Sequence, residues 1–566
     1  MDPVVGKHLP VPPLDQTLQG FLTAVRPLLD EKQFAATSEA VARFATGDGP
    51  VCQDALLAFA DSEDAEGRSW LSDAWLATYL AGRTPLPLTS NVGFALDLGD
   101  IPPGVAGAAG ALRRIADVHL GYLRGDITVD LGPRGPLCLQ QWDCLAGGLR
   151  HPEPDVDVYR WGPSDAADRE IGVLRDGAYH AVRISDSEGR VLSADTLRAA
   201  LEQVMAARPD QLFTLPSYLG SAAASGYLGR LLRDPANARL YQRLTDAVFV
   251  LNLTTTTSAG DEELRDVTFA PGRAWAYKPI TYQLDPSDGS AAMHVEHSIV
   301  DGSTLKAVVA RIQRAEPAES SDVEAAVERL AWRLEDDLAE RLRADERDYR
   351  ATAARYQVRT VQVPMALPTD LPFKLSQDAC QQFVMLYAQL ATYGRVRSTY
   401  EAVDMRDYQA GRTECLRPNS PQAVGLARAL IDGRARPEQL NAALDEHRAR
   451  VRVTKSGQGS ERHLFGLRFI AERLGRRPDL FVDPGFAALT SDLLSTTSVG
   501  DQHQLKRYAF APTIPEGIGI AYNVIPGGYE FCLSYHADRV ERLDDFVTAL
   551  ADGADALGAL IARAAR

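Results

Sequence analysis

The residues most suited to chemistry lie in one stretch, Met293-His294-Val295-Glu296-His297-Ser298-Ile299-Val300-Asp301-Gly302. An imidazole ionises near neutrality, so His297 can take a proton from a hydroxyl and return it to a leaving thiolate. Asp301, four residues on, can fix the local turn through charged hydrogen bonds, and Gly302 lets the backbone turn sharply. An isolated histidine in such a pattern has an equally good reading as a buried residue beside a turn. For His294, three residues earlier, that structural reading is the better one.

These residues need a strand to lead into them and a helix to follow. The pattern predicts both, with strand-like residues before 293 and a helical stretch over 303–314. Short strand-like pieces recur at 171–174, 180–184, 248–253 and 281–284, with a helical pattern at 194–207 between them. Strands mixed with helices at this scale imply an α/β fold. The first 90 residues read as helical, notably 15–29 and 38–44, after the extended lead-in Leu9-Pro10-Val11-Pro12-Pro13. The charged, Ala- and Leu-rich stretch 323–351 reads as one long amphipathic helix near a domain junction, with a further helix at 377–391. Strands follow at 509–512, 519–524 and 529–535.

With 566 residues the chain is too long for one ordinary core and suits two large domains. Its formal net charge of -16 disfavours nucleic acid and anionic membrane as partners. The apolar runs are strand-sized, too short to cross a bilayer. Six scattered cysteines, Cys52, Cys138, Cys144, Cys380, Cys415 and Cys532, form no CxxC pair and no zinc pattern, and are expected as reduced thiols in a cytoplasmic protein. No P-loop or dinucleotide fingerprint is present, so neither a metal nor a cofactor is expected.

The HxxxDG pattern occurs in several acyltransferase groups, and other segments narrow the choice. Leu9-Pro10-Val11-Pro12-Pro13-Leu14-Asp15-Gln16-Thr17-Leu18, Trp70-Leu71-Ser72, Pro85-Leu86-Pro87-Leu88-Thr89-Ser90-Asn91 and the stretch from Leu137-Cys138 to Arg150-His151-Pro152 come first. After Glu296-His297-Ser298 follow Thr399-Tyr400-Glu401, Gly411-Arg412-Thr413-Glu414, Glu461-Arg462-His463-Leu464, Leu494-Ser495-Thr496 and Pro515-Glu516-Gly517-Ile518-Gly519. In order and approximate spacing this series resembles the choline/carnitine O-acyltransferases over nearly the whole chain. The resemblance implies two domains, each similar to a chloramphenicol acetyltransferase subunit with a mixed sheet flanked by helices, and an active-site tunnel between them. It divides the chain into 1–345, carrying the histidine, and 346–566. Because those two domains imitate a dimer within one chain, a monomer is expected.

The resemblance also implies direct acyl transfer from a CoA thioester to a hydroxyl, with His297 as general base. Ser495-Thr496-Thr497-Ser498 matches the family's Ser-Thr-Ser motif, which places Thr497 at the developing oxyanion, with Ser498 as the alternative. Tyr400, Thr413 and Arg462 match the positions that bind the carboxylate of carnitine, which favours carnitine over choline as acceptor. Tyr508 stands where a bulky residue accompanies short acyl groups.

The donor side departs from the pattern. The family's two CoA-phosphate lysines fall on Leu367 and Leu371, its Ser-Pro-Asp motif on Ser376-Gln377-Asp378, and its serine after Tyr-Glu on Ala402. Lys374, Ser376, Asp378 and Ser498 are the CoA-side candidates, with Arg359 as a substitute cation. These losses leave an alternative open, an O-acyltransferase that takes its acyl group from the pantetheine of an acyl carrier protein and uses a different alcohol. Residues 215–226 and Trp275-Ala276-Tyr277-Lys278 also depart from the pattern, and no function is read from either.

Overall fold

The computed structural model describes residues 7–210, 212–255, 258–316, 319–365, 371 and 373–565. Leu367, one of the two lysine positions, lies outside them.

Two compact units are present. One comprises Trp75–Val358 with Gln502–Ala511; the other comprises Arg359–Asp501, Pro512–Arg566 and the N-terminal residues up to Ala74. They are not the consecutive blocks 1–345 and 346–566. The helical N-terminal region belongs with the C-terminal part of the chain, and the short segment 502–511 crosses back.

The first unit is built on an eight-stranded mixed sheet. Its order is Val327–Leu330, Ala178–Arg183, Glu170–Arg175, Val250–Leu253, Ile280–Leu284, Ala291–Val295, Val92–Leu96 and Leu505–Phe510. The pairings of Val250–Leu253 with its two neighbours are parallel; the others given are antiparallel. The second unit has a six-stranded mixed sheet, ordered Tyr356–Pro364, Gly528–His536, Ile518–Ile525, Asp492–Thr497, Ser398–Asp404 and Thr413–Leu416. Its core packs the helices Gln377–Tyr393, Pro421–Ile431, Pro437–Val453 and Leu543–Ala564, with Phe383, Leu386, Leu426, Phe531 and Leu557 fully or nearly fully buried. The protein is therefore α/β, with two mixed sheets flanked by helices.

The stretch 323–351 is not one helix. Val327–Leu330 is a strand, and the helix runs Asp336–Ala353. Tertiary packing overrides the local helical pattern here. Val327 and Leu330 pair with Val182 and Tyr179 at the sheet edge, while Glu328 and Arg329 remain exposed. Just beyond, Trp332 stacks on Phe213 with ring centroids 5.3 Å apart. The last strand of the first unit is Leu505–Phe510 rather than 509–512, because its register follows Val92–Leu96, with Phe94 opposite Tyr508.

The departing segment at 275–278 has a structural use. Trp275 packs with Phe213, Tyr241 and Trp332, and the fully buried Lys278 donates from Nζ to Leu244 O and Thr245 O at 2.8 and 2.9 Å. Burial holds this amine well below the usual lysine range.

Candidate active site

His297 follows the strand Ala291–Val295, whose alternating hydrogen bonds to Ile280–Leu284 and Val92–Leu96 fix where the turn begins. The helix Gly302–Arg314 starts immediately after it, with Asp301 as N-cap. His297 Nδ1 lies 2.6 Å from Val300 O, a backbone acceptor, so Nδ1 carries the hydrogen and the basic lone pair is on Nε2. The side chain is 30% exposed. Its ring lies 5.7 Å from that of Tyr79, tilted by 59°.

Asp301 Oδ1 is 3.6 Å from His297 Nδ1, close enough to stabilise an imidazolium electrostatically but beyond hydrogen-bond distance. Its other oxygen accepts from Gln141 Nε2 at 3.0 Å, and its backbone N–H donates to Gln141 Oε1 at 2.8 Å. Thr304 Oγ1 donates to the same amide oxygen. Gln141, not Asp301 alone, thus locks the turn. Gly302 is the first helical residue and is absent from the positive-φ glycines, so it does not supply the sharp turn expected of it. His294 is structural: Nδ1–H donates to Val267 O at 2.9 Å, and Asn91 Nδ2 donates to Nε2 at 2.9 Å. Burial pulls its pKa down to about 4, against the opposing hydrogen bond to Val267.

In the second unit the acceptor candidates converge. Arg462 Nη2 is 2.9 Å from Tyr400 Oη and 3.3 Å from Thr413 Oγ1, and its Nε donates to Thr413 O at 2.7 Å. Arg462 belongs to the helix Ser460–Arg473 and is only 7% exposed. Strand periodicity explains the convergence. Tyr400 stands opposite Ser495, Thr413 stands opposite Asp404, and Thr497 is two residues beyond Ser495. Side chains two or four apart share a face, as do directly opposed residues, so Tyr400, Thr413, Ser495 and Thr497 all lie on one face of the sheet. Beneath Arg462, the buried Glu414 accepts from the backbone N–H of Cys415 at 2.7 Å and of Arg462 at 3.1 Å. Burial raises its carboxyl to about 7, against the lowering influence of Arg462.

The donor-side candidates do not converge in this way. Ser376 accepts from Ala379 N at 3.2 Å as the N-cap of the helix Gln377–Tyr393. Asp378 sits on the opposite face of the sheet, where Tyr522 donates to it at 2.8 Å and His447 Nε2 lies 3.0 Å away. Glu401 and Thr496, the neighbours of Tyr400 and Ser495, point to that same side. Ser498 Oγ accepts from Gly500 N at 3.1 Å. Lys374 O accepts from Arg448 Nη2 at 3.5 Å, and Arg359 is paired with Asp544 at 2.6 Å. Arg448 is a cation that sequence reading missed, since only its neighbour in the fold, Lys374, stood near the quoted motif.

Among the described residues, one group of side chains has metal-ligand potential: Asp378, Glu401 and His447, with donor atoms within 4.8 Å of one another. Its members already hydrogen-bond one another, and burial beside Asp378 raises the Glu401 carboxyl well above the usual carboxylate range.

Tyr508, 3% exposed, stacks on Phe94 with centroids 5.3 Å apart. Beside Phe94 is a cavity of about 200 Å³, lined by Leu96, Leu98, Ile101, Leu264 and Val267, with Glu263 and Lys506 also present.

Residues 9–552 match the family model of the choline/carnitine O-acyltransferases. The mitochondrial carnitine O-palmitoyltransferase 2 of Xenopus tropicalis is 26% identical, over 96% of this chain and 92% of its own length. The carnitine O-acetyltransferase of Homo sapiens is 25% identical, over 94% and 90%. Among solved structures, the trichothecene 15-O-acetyltransferase of Fusarium sporotrichioides covers 85% of this chain and 94% of its own, at 10% identity and a TM-score of 0.40. No helix among the described residues is long and apolar enough to cross a membrane. With the family model spanning nearly the whole sequence, the chain belongs to the choline/carnitine O-acyltransferase family and is an O-acyltransferase.

Proposed function

We propose that the enzyme transfers a short acyl group reversibly between CoA and the hydroxyl of carnitine, with His297 as general base and no acyl-enzyme. The observation that carries this reading is the buried Arg462 guanidinium bound to Tyr400 and Thr413. A charged fork with hydroxyls beside it suits a carboxylate, which carnitine has and choline lacks. Curated relatives that match over most of their length are carnitine enzymes, in line with that choice.

In this mechanism His297 Nε2 takes the carnitine hydroxyl proton. The alkoxide adds to the thioester carbonyl, and Thr497, with Ser495 on the same face, donates to the oxyanion. Collapse breaks the C–S bond, and the imidazolium returns its proton to the thiolate. Asp301 offsets the imidazolium charge in the interval. Thiol release from acetyl-CoA with and without L-carnitine tests this reading. Carnitine-dependent release is expected from the wild type, with a loss of about 10²–10⁴-fold in His297→Ala. Full activity in that variant rejects His297 as base.

Acyl length rests on Tyr508. Relatives specific for acetyl and palmitoyl groups match about equally, so overall identity does not choose between them. The bulky Tyr508 ring stacks on Phe94, which itself lines a cavity, and a large side chain at this position favours a short acyl group. Tyr508→Ala is expected to raise octanoyl-CoA turnover relative to acetyl-CoA. Efficient palmitoyl-CoA turnover by the wild type overturns the short-chain reading.

The departures at Leu371 and Ala402 favour a second reading, with an acyl carrier protein as donor. Under the CoA reading, Lys374 and Arg448 supply the cations for the nucleotide end. A strong preference for CoA over dephospho-CoA rejects the carrier-protein donor; equal use of acyl-CoA and acyl-pantetheine supports it. The reading as a cytoplasmic monomer without metal or cofactor is part of this proposal, and gel filtration with metal analysis of the purified chain tests it.

A further inference from the structure

Glu296 and Ser298 flank His297 and are both fully buried. The Glu296 carboxylate folds back over the histidine's backbone: Ser298 Oγ donates to it at 2.5 Å and Ser298 N at 3.3 Å. Arg150 Nη1 lies 3.5 Å from the same carboxylate, in a site where the arginine itself has no exposure. Arg150 is held in turn by Asp157, with Nε 2.6 Å from Oδ2, and Ser221 Oγ donates to that oxygen at 2.7 Å.

The other oxygen of Asp157 accepts from Arg83 at 2.6 Å. Arg83 and Arg150 also donate to Leu80 O and Gly82 O, at 2.8 and 3.1 Å, and Asp157 N donates to Leu80 O at 3.0 Å. This turn directly follows Tyr79, whose ring lies against the His297 imidazole. Two guanidiniums and two carboxylates therefore balance in charge, and between them they hold the histidine's backbone and one side of its ring.

We infer that the Arg150–Glu296 pair is a positioning device for His297, with Asp157 and Arg83 extending it to Tyr79. Glu296 is then a positioning residue: it touches neither substrate, and it acts by fixing the backbone torsions that aim Nε2. This inference rests on His297 being the base. Buried charge makes the device rigid: Asp157 is shared between Arg83 and Arg150, and if Glu296 turned away, two guanidiniums would be left facing that one carboxylate in a buried site.

The test compares Glu296→Gln and Ser298→Ala with the wild type and with His297→Ala, using active-site-normalised kcat and both KM values. Glu296→Gln keeps the shape and the Ser298 hydrogen bond but removes one of the two carboxylates that face Arg150. A drop in kcat of about 10- to 100-fold is expected, because small misplacements of a reacting group cost this much, while both KM values stay within about twofold. Ser298→Ala leaves the ion pair and is expected to lose less, about 3- to 10-fold. In ¹⁵N spectra the His297 ring should show the single Nδ1–H tautomer in the wild type and a mixture in Glu296→Gln. Unchanged kcat in a folded Glu296→Gln protein overturns the inference, as does a fall in kcat matched by a rise in KM. If Glu296→Gln does not fold, Glu296→Asp decides: it keeps the charge but shortens its reach to Arg150 and Ser298, and wild-type kcat there overturns the inference. An active His297→Ala rejects the base assignment; an inactive one beside a normal Glu296→Gln rejects only the positioning device.

Discussion

The acceptor side and the donor side of the second unit were read from the same kind of evidence, short motifs in a fixed order, yet they are built differently. Tyr400, Thr413 and Arg462 are up to 62 residues apart and hydrogen-bond one another. No local rule of chain geometry requires a buried arginine there, and burying its charge is costly unless a partner recovers the loss. Ser376 and Ser498 bond within two or three residues of themselves, as any helix cap or Ser turn does. Asp378 lies on the other face of the sheet. Side chains that converge from distant elements at an energetic cost are better evidence of a ligand than side chains whose contacts the local chain already explains.

Arg462 is where this contrast is easiest to break. Arg462→Gln is expected to raise the KM for L-carnitine about 100-fold, because hydrogen bonds to a charged group are worth about 1.5–3 kcal/mol. The KM for acetyl-CoA should hold, and discrimination against choline should collapse. Arg462→Lys should not rescue, since an ammonium cannot reproduce the fork that reaches both Tyr400 and Thr413. An unchanged carnitine KM in Arg462→Gln would place acceptor recognition elsewhere.

What was legible in the sequence follows the same physics. Strands whose faces are buried, such as Glu170–Arg175 and Gly528–His536, announced themselves by composition, and the His297 motif stood in local order. The stretch 323–351 misled because its helical periodicity was outweighed by a sheet edge and by Phe213, more than a hundred residues away. Gln141, Tyr79 and Arg150 were invisible as site residues for a related reason. Each meets the His297 turn only through tertiary packing: Gln141 and Asp301 are 160 residues apart. A lone Gln or Arg carries no pattern that marks such a partner. The domain division failed likewise, since helices near the N-terminus have no sequence signal for the unit against which they pack.

On the donor side a smaller effect is expected, and it is one of stability. Ser376→Ala removes the N-cap of Gln377–Tyr393 and should cost about 1 kcal/mol in denaturant unfolding. The KM for acetyl-CoA should not move. A rise in that KM without loss of stability would return Ser376 to the list of CoA ligands and erase the contrast between the two sides.

The smallest expected effect sharpens the acceptor side. Glu414 has its carboxyl raised to about 7, first by burial and despite Arg462. Below that pH it is neutral, and the Arg462 charge is fully available to an acceptor carboxylate. Above it, the new carboxylate competes for the same guanidinium, so the carnitine KM should rise roughly two- to fivefold between pH 6 and 8.5. Its folded pKa lies above the ordinary carboxylate value, so the proton is held more tightly in the folded state. The stability Glu414 contributes is therefore present at low pH and is lost as the pH rises from the ordinary carboxylate range through about 7. Any ionisation that acts on the shared chemical step enters kcat/KM for both substrates, whereas Glu414 enters only that for carnitine, so the ratio of the two isolates it. Glu414→Gln should flatten that ratio across the range. A ratio that is already flat in the wild type would mean that Glu414 does not change charge beside Arg462.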